Sequence, residues 1–112
     1  MRVRVTRPYE QPFPDPIAVR AGDRVVPDFG KETDIAGWVW CIAGDGRAGW
    51  TPRAWLSREG GEWRIDRDFN AIELTIAPGE LLDVLELESG FYRVEKADGE
   101  TGWVPVDCVI AE

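Results

Sequence analysis

The first residues alternate: Arg2-Val3-Arg4-Val5 places charge and valine in turn, the period of a strand with one face buried. Arg7 to Pro16 contains Pro8, Pro12, Pro14 and Pro16, which excludes helix and central strand and predicts a stiff loop. Ile17-Ala18-Val19 and Arg24-Val25-Val26 read as short strands around an Ala21-Gly22-Asp23 turn, and polar residues 27–37 as a loop. Trp38-Val39-Trp40-Cys41-Ile42 is aromatic and β-branched, hence a strand. Asp45-Gly46 is a type I′ hairpin signal, Ala48 to Thr51 the returning strand, and Pro52-Arg53-Ala54-Trp55 a 3₁₀ turn closed by Leu56. Ser57 to Glu62 is polar with two glycines and reads as a linker.

The same order then returns. Trp63-Arg64-Ile65 and Leu74-Thr75-Ile76 are strands separated by a loop, and Pro78-Gly79 turns. Leu81 to Leu87 alternates, Phe91 to Glu95 is a strand, and Asp98-Gly99 a hairpin. Gly102-Trp103-Val104 is its partner, followed by a helical turn over Pro105 to Cys108. Trp50 and Trp103, Pro52 and Pro105, and Gly37 and Gly90 are each 53 positions apart, so one structural unit occurs twice. The division predicted is 1–56, a linker at 57–62, and 63–112. No stretch has a helical period.

Composition narrows the partners. A net charge of −8 without histidine opposes binding to nucleic acid or an anionic membrane and favours basic or neutral partners. No apolar run approaches the roughly 20 residues of a membrane-spanning helix, and no signal-peptide core follows the first strand, so the chain is read as cytoplasmic. Cys41 falls at a small core position and Cys108 at a more exposed one; neither has a histidine for nucleophilic work, and two distant thiols do not form a metal site. No cofactor is implied. The carboxylates are scattered, and no pair is marked for acid–base chemistry, so the chain is read as non-catalytic.

The ordered motifs Gly37-Trp38-Val39, Gly49-Trp50-Thr51-Pro52, Gly90-Phe91-Tyr92 and Gly102-Trp103-Val104-Pro105 resemble the SH3 domain, present twice. The resemblance implies an all-β chain of two small five-stranded barrels in tandem with a short linker. It also implies aromatic grooves that receive extended, Pro-rich peptides in the polyproline II conformation. The first copy offers Tyr9 at the second tyrosine of the family's Ala-Leu-Tyr-Asp-Tyr segment and Trp38 at the groove tryptophan, with Trp50 beside it. Pro52 takes the floor proline, and Trp55 replaces the tyrosine of the 3₁₀ turn. The second copy offers Phe69, Phe91, Trp103, Pro105 and Cys108 at the same places. The acidic position for a ligand Arg or Lys is Glu73 in the second copy, while the first has Pro16 with Asp15 adjacent. Arg7 and Arg67 replace the first groove tyrosine, and Cys108 removes an aromatic wall.

Two roles are therefore expected. One is a non-catalytic adaptor that binds a Pro-rich or basic peptide segment. The other is a structural or assembly protein whose aromatic faces are used between repeats or in a homodimer. Trp40 alternates with Val39 and Cys41, should face outward, and is read as an interface residue.

Overall fold

The computed structural model describes all residues, 1–112. The strands run β1 (Arg2–Val5), β2 (Ala18–Val19), β3 (Arg24–Asp28), β4 (Trp38–Ala43), β5 (Ala48–Pro52), β6 (Leu56–Glu59), β7 (Glu62–Ile65), β8 (Phe69–Asn70), β9 (Leu81–Glu88), β10 (Phe91–Glu95), β11 (Thr101–Pro105) and β12 (Val109–Ala111). Two 3₁₀ turns, Arg53–Trp55 and Val106–Cys108, follow the Trp-x-Pro stretches as predicted. No helix is long and apolar enough to cross a membrane.

The chain is all-β and forms two compact units, but they part at different residues from those expected. Residues 15–71 form one unit; residues 1–14 and 72–112 form the other. The expected linker at 57–62 is a hairpin instead, with Leu56↔Ile65 and Arg58↔Trp63 in register. Gly60 and Gly61 both take positive φ, which is what a two-residue type I′ turn requires, so the two glycines that suggested a linker make a tight reversal.

The hairpin redistributes strands. In the 15–71 unit the sheet order is β5-β4-β3-β7-β6, with β2 and β8 pairing separately. In the other unit the order is β11-β10-β9-β1-β12. Strand β7 lies between β3 and β6, and β1 lies between β9 and β12, so these two are equivalent. The N-terminal strand thus completes the sheet of the second repeat, and β7 completes that of the first. Each main sheet has the expected five strands, but neither closes into a barrel. On the β5 edge Ile17 donates its backbone N–H to the Ala48 carbonyl at 3.0 Å, and on the β11 edge Trp103 donates to Ile72 at 2.9 Å.

Gly49 and Gly102, the glycines before the repeated tryptophans, permit these close approaches. A Cβ at Gly49 would lie 2.9 Å from Ile17 Cγ2, and one at Gly102 would lie 2.8 Å from the Ile72 carbonyl oxygen. The core of the 1–14/72–112 unit holds Val3 and Val5 from β1 with Leu74, Ile76, Leu82, Val94, Val104 and Val109. Ile17, Val25, Cys41, Thr51, Leu56 and Ile65 are buried in the other unit. The polar member of that set, Thr51, gives its hydroxyl to the Gly49 carbonyl at 3.3 Å.

Candidate peptide-binding surfaces

The strand exchange redraws both predicted grooves. Tyr9 falls in the unit of residues 72–112, whereas Trp38 and Trp55 fall in the other. Phe69 falls in the 15–71 unit, apart from that of Phe91 and Trp103, and meets the Trp55 ring edge-on at 5.5 Å. The physical reason is that each residue travels with the strand before it: Tyr9 follows β1 and Phe69 follows β7.

In the 15–71 unit, Trp38 at the start of β4 lies opposite Pro52 at the end of β5. Trp38 and Trp55 each expose only 9% of their surface, and Pro52 and Phe69 are buried. The Arg67 guanidinium lies 3.8 Å above the Trp55 ring, a cation–π stack at the position where the SH3 family has a groove tyrosine. The exposed face of the Trp55 ring is thus covered by an arginine of the chain itself. Asp15 is exposed and pairs with Arg47 at 3.1 Å, and Asp45 shares that guanidinium at 3.0 Å. The same arginine holds the Asp45 carboxyl below the usual carboxylate range, mainly by hydrogen bonding. Trp50 is half-buried and meets Trp40 edge-on at 5.2 Å, with the Lys31 ammonium 4.5 Å over Trp40.

The other unit is more open. Phe91 and Pro105 lie opposite each other across β10 and β11, and both are half-exposed. Glu73 forms a parallel bridge with Trp103, whose side chain is buried at 2% exposure. The Tyr9 hydroxyl donates to Glu73 Oε1 at 2.5 Å. Gln11 adds two bonds: its side-chain amide donates to the Glu73 carbonyl at 2.8 Å, and its backbone N–H to Thr75 Oγ1 at 3.0 Å. Gln11 drew no attention in the sequence, where it is one polar residue among prolines; only the pairing of Tyr9 with Ile76 brings it beside Glu73. Burial raises the Glu73 carboxyl above its ordinary value, while the Tyr9 bond opposes the shift. Burial first, then the neighbouring carboxylate, pushes the Tyr9 phenol well above the usual tyrosine range.

Cys41 and Cys108 are free thiols, and both are buried, Cys108 contrary to its expected exposure. The Cys108 carbonyl is held by the backbone N–H groups of Thr6 and Arg7, which draws the 3₁₀ turn under the segment after β1. Burial pushes the Cys41 thiol up to about 11 and raises that of Cys108, which makes both poor nucleophiles at neutral pH. No group of three His, Cys, Asp or Glu side chains is arranged to hold a metal ion.

The variant SH3 domain family matches residues 2–59, more than half of the chain, and the protein belongs to that family. The match follows chain order and joins β1 to β2–β6, whereas in space β7 occupies that place. Neither the curated proteins nor the solved structures contain a match. Membership of this family makes the chain a protein-interaction module in the general sense.

Proposed function

We propose that the 1–14/72–112 unit binds an extended, Pro-rich peptide segment carrying an Arg or Lys, with Tyr9, Phe91 and Pro105 as the apolar surface and Glu73 as the cation acceptor. The observation that carries this reading is the Tyr9–Glu73 hydrogen bond beside half-exposed aromatic surface. It positions a carboxylate whose second oxygen remains for a ligand donor. Charge supports the same choice: this unit holds eleven acidic and five basic side chains, the greater part of the net negative charge. Such a field steers basic peptides toward it.

The aromatics of the 15–71 unit are assigned a structural role, because Trp38, Trp55 and Phe69 are buried and Arg67 covers Trp55. Trp50, Pro52 and Asp15 then carry no ligand.

Titration of the labelled full chain with Pro-rich peptides, with and without an internal Arg, tests both statements. Shifts at the Tyr9, Phe91 and Trp103 amides are expected, together with a loss of about tenfold in affinity for the Arg peptide in Glu73→Gln. Shifts confined to Trp38, Trp50 and Trp55, or an affinity unchanged by Glu73→Gln, would reverse the assignment.

A further inference from the structure

The outer face of the β3–β4–β5 sheet differs sharply between the two repeats. In residues 15–71 its central row is Val26, Ile42 and Ala48, in register across the three strands. The next row is Asp28, Trp40 and Trp50. Val26 is 53% exposed and Ile42 41%. In the other repeat the same face carries Asp83 opposite Glu95 and Thr101, and Glu86 ion-paired with Arg93. The other repeat thus has charge at the central row, although Leu81, Leu85 and Leu87 of β9 are exposed there too, and the fold does not need apolar side chains in that row.

We infer that this apolar face is a two-fold docking surface for a second copy of the chain. The outward residues of β3 read Arg24, Val26, Asp28: positive, apolar, negative about a central row. A two-fold axis in the plane of the interface, running along the Val26–Ile42–Ala48 row, lays β3 on β3 and puts each Arg24 against Asp28 of the second copy. Size follows charge. Beyond the central row at the hairpin end lie the turn residues Gly44 and Gly46, and the same axis brings this turn toward Trp40 and Trp50. Gly44 is not required by the fold: its φ is not positive, and a Cβ there would meet nothing within 4 Å. A small residue at Gly44 has a reason if a tryptophan of another copy packs over it. The present partners of the charges are weak ones. Arg24 faces Glu62 at 3.7 Å with both side chains exposed, and Asp28 accepts the Gly30 backbone N–H at 3.0 Å. An isologous contact of this kind is self-complementary, as closed dimers require. The equivalent face of the other repeat has Asp83 and Glu95 in place of Val26 and Ile42 and so lacks this apolar row. This inference is independent of the peptide surface, since none of its residues takes part in that proposal.

Sedimentation velocity of the full chain over a concentration series tests it. The wild type is expected to pass from monomer to dimer by mass action. Arg24→Asp alone and Asp28→Arg alone each place like charges together twice, and each is expected to weaken the dimer by about tenfold or more. The double variant Arg24→Asp/Asp28→Arg restores the pairing. So does an equimolar mixture of the two single variants, which forms a heterodimer because one copy then carries two anions and the other two cations. Ile42→Lys is expected to abolish the dimer with an unchanged circular dichroism spectrum. A wild type that stays monomeric at the highest soluble concentration, single variants that dimerise like the wild type, or a mixture of them that remains monomeric would each overturn the inference.

Discussion

Tyr9 gives its phenol hydrogen to a carboxylate that is half withdrawn from water. Burial raises the Glu73 carboxyl above its ordinary value, so the folded chain holds a proton that the unfolded chain has already released. The sign of the linkage is fixed by this direction. The contribution of Glu73 to stability is fully present below the unfolded glutamate value of about 4.3 and is lost as pH rises through the raised folded value. Ligand binding runs the other way, because only the ionised carboxylate attracts a cation. Wild type minus Glu73→Gln therefore shows two opposite slopes. The melting-temperature difference falls as pH rises across that window, while the Arg-peptide affinity difference grows. Parallel thermal melts and peptide titrations from pH 4 upward measure both; a flat stability difference would mean that Glu73 is as well solvated folded as unfolded. Tyr9, pushed far above the usual tyrosine range, stays a neutral donor throughout this interval.

At the scale of elements, most strands were legible; β6 and β8 fall where the sequence reads as linker and loop, Leu74–Ile76 forms no strand, and the partners of two strands were not foreseen. Alternation in Arg2–Val5, the Asp-Gly hairpins and the Trp-x-Pro turns each specify local structure, and β1, β4, β5, β9, β10 and β11 form where the pattern places them. What local pattern leaves undecided is the choice between equivalent strands. β1 and β7 both put two apolar side chains inward, Val3 and Val5 in one and Trp63 and Ile65 in the other, and either has the period to enter either sheet. The Gly60-Gly61 turn decides it, because a two-residue hairpin pairs β7 with β6 at almost no loop-closure cost. Trp63 strengthens the choice by packing edge-on against Phe29 at 5.4 Å with the Arg53 guanidinium 5.0 Å over its ring, contacts that Val3 could not supply. The expected groupings changed accordingly: Tyr9 and Phe69 moved to the other unit with the strands they follow. The exchange is checked by fragments. Residues 15–71 carry every strand of their unit and are expected to fold alone, with a cooperative thermal transition by circular dichroism. Residues 72–112 lack the strand between β9 and β12 and are expected to be unfolded until a peptide of residues 1–14 is added. Folding of 72–112 without that peptide would show that β1 is dispensable.

For the whole molecule, the exchange means that the chain passes between units twice, at 14–15 and at 71–72, so the 15–71 unit is an insertion in the other. The pairing Ala18↔Asn70 and Val19↔Phe69 holds the two ends of the insertion together. While the insertion is folded, residues 14 and 72 are joined by what amounts to a short loop. When it unfolds, all of residues 15–71 becomes the loop that must be closed before β1 can pair with β9. Closure cost grows with the logarithm of loop length, and a lengthening of about sevenfold adds about 2 kcal/mol. The coupling is entropic and reciprocal by thermodynamic linkage, since the folded 1–14/72–112 unit tethers the ends of an unfolded 15–71 segment and lowers its entropy by the same amount. Ile65→Ala isolates the effect. Ile65 is buried in the inserted unit, and its truncation should cost that unit about 2–5 kcal/mol. In a variant destabilised enough to leave residues 15–71 unfolded, native-state hydrogen exchange should show protection at the Val94 and Val104 amides of the other unit lowered by about tenfold or somewhat more. The reciprocal variant, Leu82→Ala in the outer unit, destabilised enough to leave residues 1–14/72–112 unfolded, should lower protection at the Cys41 and Thr51 amides by a similar factor. Losses well beyond this size would require a coupling other than loop closure, and no loss in either direction would mean that residues 14 and 72 are held together by something other than the folded insertion.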